Sequence, residues 1–297
     1  MTPAAVPRWI ELPGQTQLLL SGGDRLRFLN GQVTTDVRKL DPGIARAACV
    51  LTAKGKLCAL VRVAAENEAY RIDADAPLRE ELIARIERYI IADDVLLEDV
   101  TEHRVLLHLA GPVPDGLPTT PVATCATDRF GIPGTDLIVA APDAPAARAF
   151  LTGQLGESSP DFFEQTRIDR AVPVWGSELG PDTLPPEAGL DATAIDYDKG
   201  CYLGQEIISR LRSVGHVNRK LCRLGASAKL IPGMTLAGPA GEPAGTITSA
   251  APSFALDNWM GLGYLKKLFW TPGTRLAANL PGSDTAIPVE VLPNHPA

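Results

Sequence analysis

The sequence predicts an α+β fold, and three observations lead there. Strand-like and helix-like segments alternate irregularly, without the steady strand–helix–strand rhythm of a doubly wound parallel sheet. Apolar runs flank a short Gly-containing connection at Ala53-Lys54-Gly55-Lys56, which implies a hairpin and so antiparallel pairing. From about Leu221 onward Gly and Pro recur at short intervals between brief apolar runs, the pattern of a small β-barrel or sandwich. The boundary is placed there, dividing residues 1–220 from a C-terminal β-barrel or sandwich at 221–297.

In chain order, Gln17 to Leu20 is a short strand leading into a helix. Asp24 is its N-cap, Leu26, Phe28 and Leu29 form its apolar face, and Asn30-Gly31 end it. The polar cluster Gln32, Thr34, Thr35 and Asp36 that follows lines a pocket or forms a solvated turn. The hairpin comes next, with strands Ala47 to Thr52 and Leu57 to Val63, then a strand at Tyr70 to Asp73. Pro77 opens an amphipathic helix that sets Leu78, Leu82, Ile83, Ile86 and Ile90 opposite Arg79, Glu80, Arg85 and Glu87. Strands at Val95 to Leu97 and Val105 to Leu109 precede a Pro/Gly/Thr-rich loop running to about Thr124. A strand at Asp136 to Ala140, a helix at Ala144 to Leu151 and a helix at Phe162 to Arg170 complete the first region. Beyond residue 221, punctuation by Pro232-Gly233, Gly238-Pro239, Pro272-Gly273 and Pro281-Gly282 sets off the short strands of the barrel.

Composition narrows the function classes. Apolar residues make up 45% of the 297 and charged residues 21%, an ordinary globular balance. The longest apolar runs, such as Leu137 to Ala141, are far too short to span a bilayer. The N-terminus has neither the apolar core of a signal peptide nor the arginine-rich character of a transit peptide, so a cytoplasmic location without membrane partners is expected. Five widely scattered cysteines with no CxxC pair support neither a disulfide framework nor a zinc site, and His103, His108, His216 and His295 show no metal-ligand spacing. The net charge is −7, unevenly placed. From Lys199 to Lys229 seven basic residues face one acid, Glu206, so this stretch carries +6 and the rest of the chain −13. Such a region suits an anionic ligand or one face of an RNA or protein partner, or is simply a solvated basic face.

The chemistry concentrates in Lys199 to Glu206, KGCYLGQE. Gly200 and Gly204 supply a turn, and Gln205 to Arg210 continue as a helix. Cys201 near that helix start, beside Lys199, has two influences favouring a thiolate: the macrodipole and a neighbouring cation. The alternative is a small buried residue flanked by turn glycines.

KGCYLGQE, together with LSGGDRLRFLNGQVTTDV, TAKGK, LPPEAGL and the C-terminal GTITSAAPSF and GLGYL segments in that order, resembles the YgfZ family, the folate-binding relatives of the glycine-cleavage aminomethyltransferase, or T-protein. The resemblance covers almost the whole chain. It implies two interleaved antiparallel-sheet subdomains around a central folate cavity, followed by the barrel, with tetrahydrofolate or a one-carbon derivative as the ligand. Such a ligand asks for a carboxylate or amide at the pterin edge, flat apolar walls and cations at the mouth. Glu187, Glu164, Asp169 or Gln205 answer the first need, with Glu187 favoured because it sits in the LPPEAGL loop. Tyr202, Trp175 and Phe28 answer the second, and Arg170, Lys199 or Arg210 the third.

The sequence departs from the transferases where their catalytic aspartate would stand. GKLCALVRV places Ala59 and Leu60 there, and neither can exchange a proton or hold an ammonium ion; Asp36 from a neighbouring loop is the remaining acid. The resemblance thus implies a tetrahydrofolate-binding accessory factor in the assembly or repair of iron-sulfur proteins, with an indirect effect on tRNA modification, Cys201 as the reactive thiol and iron-sulfur proteins or assembly factors as partners. Two rivals stay open: a folate-dependent aminomethyl or methyl transferase acting on a small amine, and a tRNA-contacting protein using the basic stretch.

Overall fold

The computed structural model describes residues 8–213, 215–254, 258–280 and 286–293. The expected Pro281-Gly282 turn and His295 lie outside the described residues. The chain forms two compact units, each built from two stretches of sequence: Met1–Pro160 with Ala194–Gln205, and Asp161–Thr193 with Glu206–Ala297. All pairings between named strands are antiparallel.

In the first unit, one four-stranded sheet has the order β1 (Arg8–Glu11), β7 (Arg104–Ala110), β9 (Gly134–Ala140), β8 (Ala123–Thr127). A five-stranded sheet has the order β3 (Ala45–Leu51), β4 (Leu57–Glu66), β5 (Ala69–Ala74), β2 (Thr16–Ser21), β6 (Leu96–Asp99). The β3–β4 hairpin forms as its pattern requires, closed by Thr52 N–H to Lys56 O and Gly55 N–H to Thr52 O, both 2.9 Å. Alternation along β4 sends Leu57, Ala59, Val61 and Val63 inward. Two strands escape a hydrophobic-run reading. The four-residue β1 is an edge strand held by pairing with β7, and β8, at the end of the expected loop, is ATCAT, too small and polar to stand out.

Helix α1 (Arg25–Gln32) buries Phe28 and Leu29, but Leu26 is 40% exposed because its side of the helix borders an open cavity rather than the core. Nor do Asn30 and Gly31 end the helix. It runs through Gln32 because its last carbonyls find tertiary donors, as described below. Asp24 occupies the N-cap position without a side-chain cap, its carboxylate accepting instead from Asp94 N–H at 2.9 Å. Helix α2 (Arg79–Glu87), preceded by a 3-10 turn through Pro77, seats Leu78, Leu82 and Ile86 in the core. Helix α3 (Ala144–Leu155) packs Ala144, Ala147 and Leu151 against Trp9, Leu107, Leu137 and Val139.

A buried ionic chain ties the two sheets of this unit together. Arg71 on β5 pairs with Asp73 at 2.8 Å, Arg129 bridges Asp73 at 2.8 Å and Asp136 on β9 at 2.6 Å, and His108 Nδ1 on β7 lies 2.8 Å from Asp136. Burial pushes His108 down toward the neutral form against the pull of Asp136. Burial alone would raise Asp136, but Arg129 and His108 outweigh it and hold the carboxyl well below the usual range.

The second unit holds helix α4 (Pro160–Asp169) from its second residue on, most of helix α5 (Gln205–Ser213), and a closed six-stranded barrel. The barrel order is β10 (Arg219–Ala226), β13 (Trp259–Lys266), β12 (Pro243–Pro252), β11 (Thr235–Ala237), β14 (Arg275–Asn279), β15 (Ala286–Leu292). Closure removes exposed sheet edges, and Leu224, Met234, Leu236, Ile247, Leu265, Leu276 and Val291 fill the interior. Arg167 is buried here against Glu178 at 3.1 Å and Glu164 at 2.6 Å. No helix among the described residues is long and apolar enough to cross a membrane.

Candidate functional site

Residues 194–205 are bound to α1 and the turn after it through a set of main-chain and side-chain contacts. Asp196 N–H donates to Thr34 O at 3.0 Å and Leu203 N–H to Gly31 O at 3.1 Å. Thr34 Oγ1 donates to Ala194 O and accepts from Cys49 N–H at 2.7 Å. The Lys199 ammonium, on a residue only 4% exposed, donates to Asn30 O at 2.8 Å, Val33 O at 2.6 Å and Thr35 O at 2.6 Å. The first two are carbonyls of the last turn and C-cap of α1, which an α-helix cannot satisfy internally and whose dipole attracts a cation, and the third belongs to the turn beyond. Burial pushes Lys199 down to about 8, with Asp36 and Asp196 pulling the other way. Thr34, Thr35 and Asp36 are buried parts of this joint, neither the pocket wall nor the solvated turn that their polarity suggests.

Two residues further on, Cys201 reaches solvent. Of the five cysteines it alone is exposed; Cys49, Cys125 and Cys222 are buried and Cys58 is half-buried. Burial raises the thiols of Cys49, to about 12, and Cys222, to about 11. Cys201 lines a cavity of about 370 Å³ with Leu26, Arg27, Asn30, Gly31, Arg38 and Gly200. Asp36 takes two nitrogens of Arg38, each at 2.8 Å, and these bonds hold its carboxyl down to about 2. Asp93 takes Arg27 at 2.6 Å. Both arginines line the cavity, each ion-paired, Arg27 also with Asp24 at 3.3 Å, while the paired aspartates are not among its lining residues.

The turn into α5 differs from its sequence reading. The helix begins at Gln205, four residues after Cys201, and the influence of a helix end fades within its first turn. Gly204 is the glycine the turn requires: its φ is +86°, and a Cβ there would sit 2.7 Å from Thr52 O. Gly200 has neither a positive φ nor any atom within 4 Å of a built Cβ. Tyr202 is buried, its hydroxyl pushed up to about 12 by burial, with the Lys199 ammonium 5.3 Å from its ring centre. Gln205, at the helix start, donates its N–H to Tyr202 O.

The other candidates belong to the second unit. Glu187 sits in a 3-10 turn (Pro185–Ala188), largely buried, and accepts from Arg219 Nε at 2.9 Å. The Arg219 guanidinium lies 4.5 Å from the ring centre of Tyr264, and both line a cavity of about 500 Å³ with Asp182, Thr246, Thr248 and Lys266. Asp169 is bound to Arg223 at 2.6 Å, and Glu164 to Arg167. Arg170 Nε is 3.8 Å from Asp169, Trp175 is half-buried in a bridge with Leu179, and Arg210 is exposed in the last turn of α5. Pairing of Arg219 and Arg223 with acids removes two free cations from the basic stretch. Ala59, fully buried opposite Val50, and Leu60, opposite Cys49, bring no acid to β4. Sequence reasoning missed Arg27, Arg38 and Tyr264, and had Arg219 only as one cation of the basic stretch, because contacts between distant segments bring them to the cavities. Among the described residues no group of His, Cys, Asp or Glu is arranged to hold a metal ion.

Residues 219–296 match the family model described as the glycine cleavage T-protein C-terminal barrel domain. A chloroplastic protein of Arabidopsis thaliana is 26% identical over 286 residues, 87% of this chain; the match takes in 65% of that relative, just under two thirds of its length. The tRNA-modifying protein YgfZ of Klebsiella pneumoniae is 26% identical over 230 residues, 72% of this chain and 70% of its own. The crystal structure of the glycine cleavage system aminomethyltransferase T from Bartonella henselae shares the fold, with a TM-score of 0.84 and 18% identity over 97% of this chain and 86% of that one. The chain is thus similar in sequence to YgfZ proteins and aminomethyltransferases, and it shares the T-protein fold with its C-terminal barrel.

Proposed function

We propose that the protein is a tetrahydrofolate-binding accessory factor that acts through the Cys201 thiol in the assembly or repair of iron-sulfur proteins in the cytoplasm, and through them affects tRNA modification. The observation that carries this reading is the exposure of one thiol out of five, in a cavity bordered by Arg27 and Arg38, on a segment fixed by the buried Lys199. A thiol so placed can attack an activated carbon or a disulfide, or ligate iron transiently beside ligands from a partner. One thiol cannot hold a cluster alone.

The folate part of the reading is supported by the residues of the second unit. An aromatic wall at Tyr264, cations at Arg219 and Lys266, and a carboxylate at Glu187 behind Arg219 suit a flat heteroaromatic ligand with an anionic tail, beside a cavity of about 500 Å³. When bound, tetrahydrofolate would supply a one-carbon unit. Glu187, held by Arg219, is proposed to serve the pterin edge, and Lys266 the anionic tail. Buried Ala59 weighs against the transferase rival.

The test is Cys201→Ala. It is expected to abolish support of iron-sulfur enzyme activity in cells that depend on this protein, while thermal stability and tetrahydrofolate affinity stay at the parental level. Full support by the variant would refute the reading, and a variant that fails to fold would make the cysteine structural.

A further inference from the structure

The ionic layer that ties the two sheets of the first unit together leaves one guanidinium short of acceptors. Arg62 stands on β4 directly opposite Asp73 on β5, a register in which opposite charges normally pair. Asp73 is already taken. One of its oxygens accepts from Arg71 at 2.8 Å, the other from Arg129 at 2.8 Å and from Gln15 at 3.4 Å. Asp136 is held by Arg129 and His108, and Glu66 by Arg104 at 2.6 Å. Three arginines, Arg62, Arg71 and Arg129, thus share the two carboxylates of Asp73 and Asp136. Arg62 donates only through Nε, to Thr127 Oγ1 on β8 at 3.2 Å; its two terminal nitrogens have no acceptor among the described residues. Asp128 also attracts Arg62, but it is exposed and forms no ion pair with it. Burial and the nearby Arg129 cation push Arg62 down to about 10 against the pull of the three aspartates, so its charge is held at a cost. Arg71 Nε is sealed from solvent, whereas Arg62 is half-buried and its terminal nitrogens reach water.

We propose that the Arg62 guanidinium, with the Thr127 hydroxyl beside it, binds a small oxyanion, a carboxylate or phosphate group on a small molecule. Two terminal nitrogens side by side match two oxygens of such a group, the bidentate geometry in which arginine binds most strongly. Thr127 Oγ1 accepts from Arg62, which leaves its own proton to donate to an anion held there. The anion supplies the acceptor and the counter-charge that Asp73, committed to Arg71 and Arg129, does not. The site shares no residue with the cavities of Cys201 and Tyr264 and is independent of the reading of either.

The test follows thermal unfolding of the wild type, Arg62→Gln and Arg62→Lys proteins in titrations with acetate and with phosphate, each against chloride at the same pH and ionic strength. At an anion concentration about ten times its dissociation constant, the wild type should melt about 2–4 °C higher than in chloride. Whichever anion gives the larger rise identifies the group as carboxylate or phosphate. Arg62→Gln should lose the rise altogether, and in chloride it should melt no lower than the wild type, because no ion pair is broken. Arg62→Lys keeps the charge without the two-nitrogen fork and should retain about half of the rise or less. Absence of any rise in the wild type with both anions would overturn the proposal. The same rise in all three proteins would overturn it too, as an adventitious ion bound elsewhere. An Arg62→Gln protein that fails to fold, or melts well below the wild type in chloride, would show that Asp73 and Asp136 already compensate Arg62 and would overturn the premise.

Discussion

Replacing Lys199 with Met removes an ammonium but keeps most of the side-chain volume, so it isolates what the charge and its donors contribute. Three carbonyls, of Asn30, Val33 and Thr35, lose their 2.6–2.8 Å donor. A hydrogen bond to a charged group is worth about 1.5–3 kcal/mol, but three sharing one nitrogen do not add, and the mutation also recovers the cost of burying the ammonium. The net loss expected is about 3 kcal/mol, read as a lower urea midpoint with an unchanged denaturant slope. The loss should be local as well as global. With the end of α1 no longer tied to residues 199–205, Cys201 should be alkylated faster at a given pH and hydrogen exchange should rise across residues 194–205. A loss under about 1 kcal/mol with unchanged exchange would refute the assignment of Lys199 as the latch of this segment. If instead the pH profile of Cys201 alkylation shifted while stability held, the lysine would be acting on the thiol through its charge.

Two further substitutions test the joint from other sides. Gly204→Ala forces a Cβ onto a residue at φ +86° and toward Thr52 O, and should cost about 2–3 kcal/mol in unfolding free energy, measured by urea titration; a neutral effect would mean the turn can rebuild. Asp36 is held down to about 2 by Arg38, so its pairing stabilises the fold fully above the ordinary carboxylate value of 3.8 and is lost as pH falls toward 2. Asp36→Asn should therefore lower stability at pH 7 and flatten the acid limb between pH 4 and pH 2; an unchanged limb in acid unfolding would remove Asp36 from the account.

The short strands of the C-terminal region, the β3–β4 hairpin and the core face of α2 were legible because each rests on local pattern: alternation, a turn residue, a helical period. The site was legible only in part. KGCYLGQE marks Cys201 and Gly204 as unusual, and both are, one by exposure and the other by backbone angle. The nearness of Lys199 and Cys201 in sequence suggested a cation beside a thiol. The structure turns Lys199 inward onto the end of α1, and Arg27 and Arg38, from far earlier in the chain, line the cavity instead.

The sequence by itself determined the α+β class, an all-β C-terminal region, the antiparallel hairpin and the one motif worth examining, because local propensity and hydrophobic period act within a few residues of each other. Tertiary structure alone decided which cysteine meets solvent, that α1 continues past Gly31, and that the Lys199 ammonium satisfies a helix end. It also placed Arg219 over Tyr264. Each of these depends on desolvation and on hydrogen-bond partners distant in the chain, and neither is a property of any short stretch of residues.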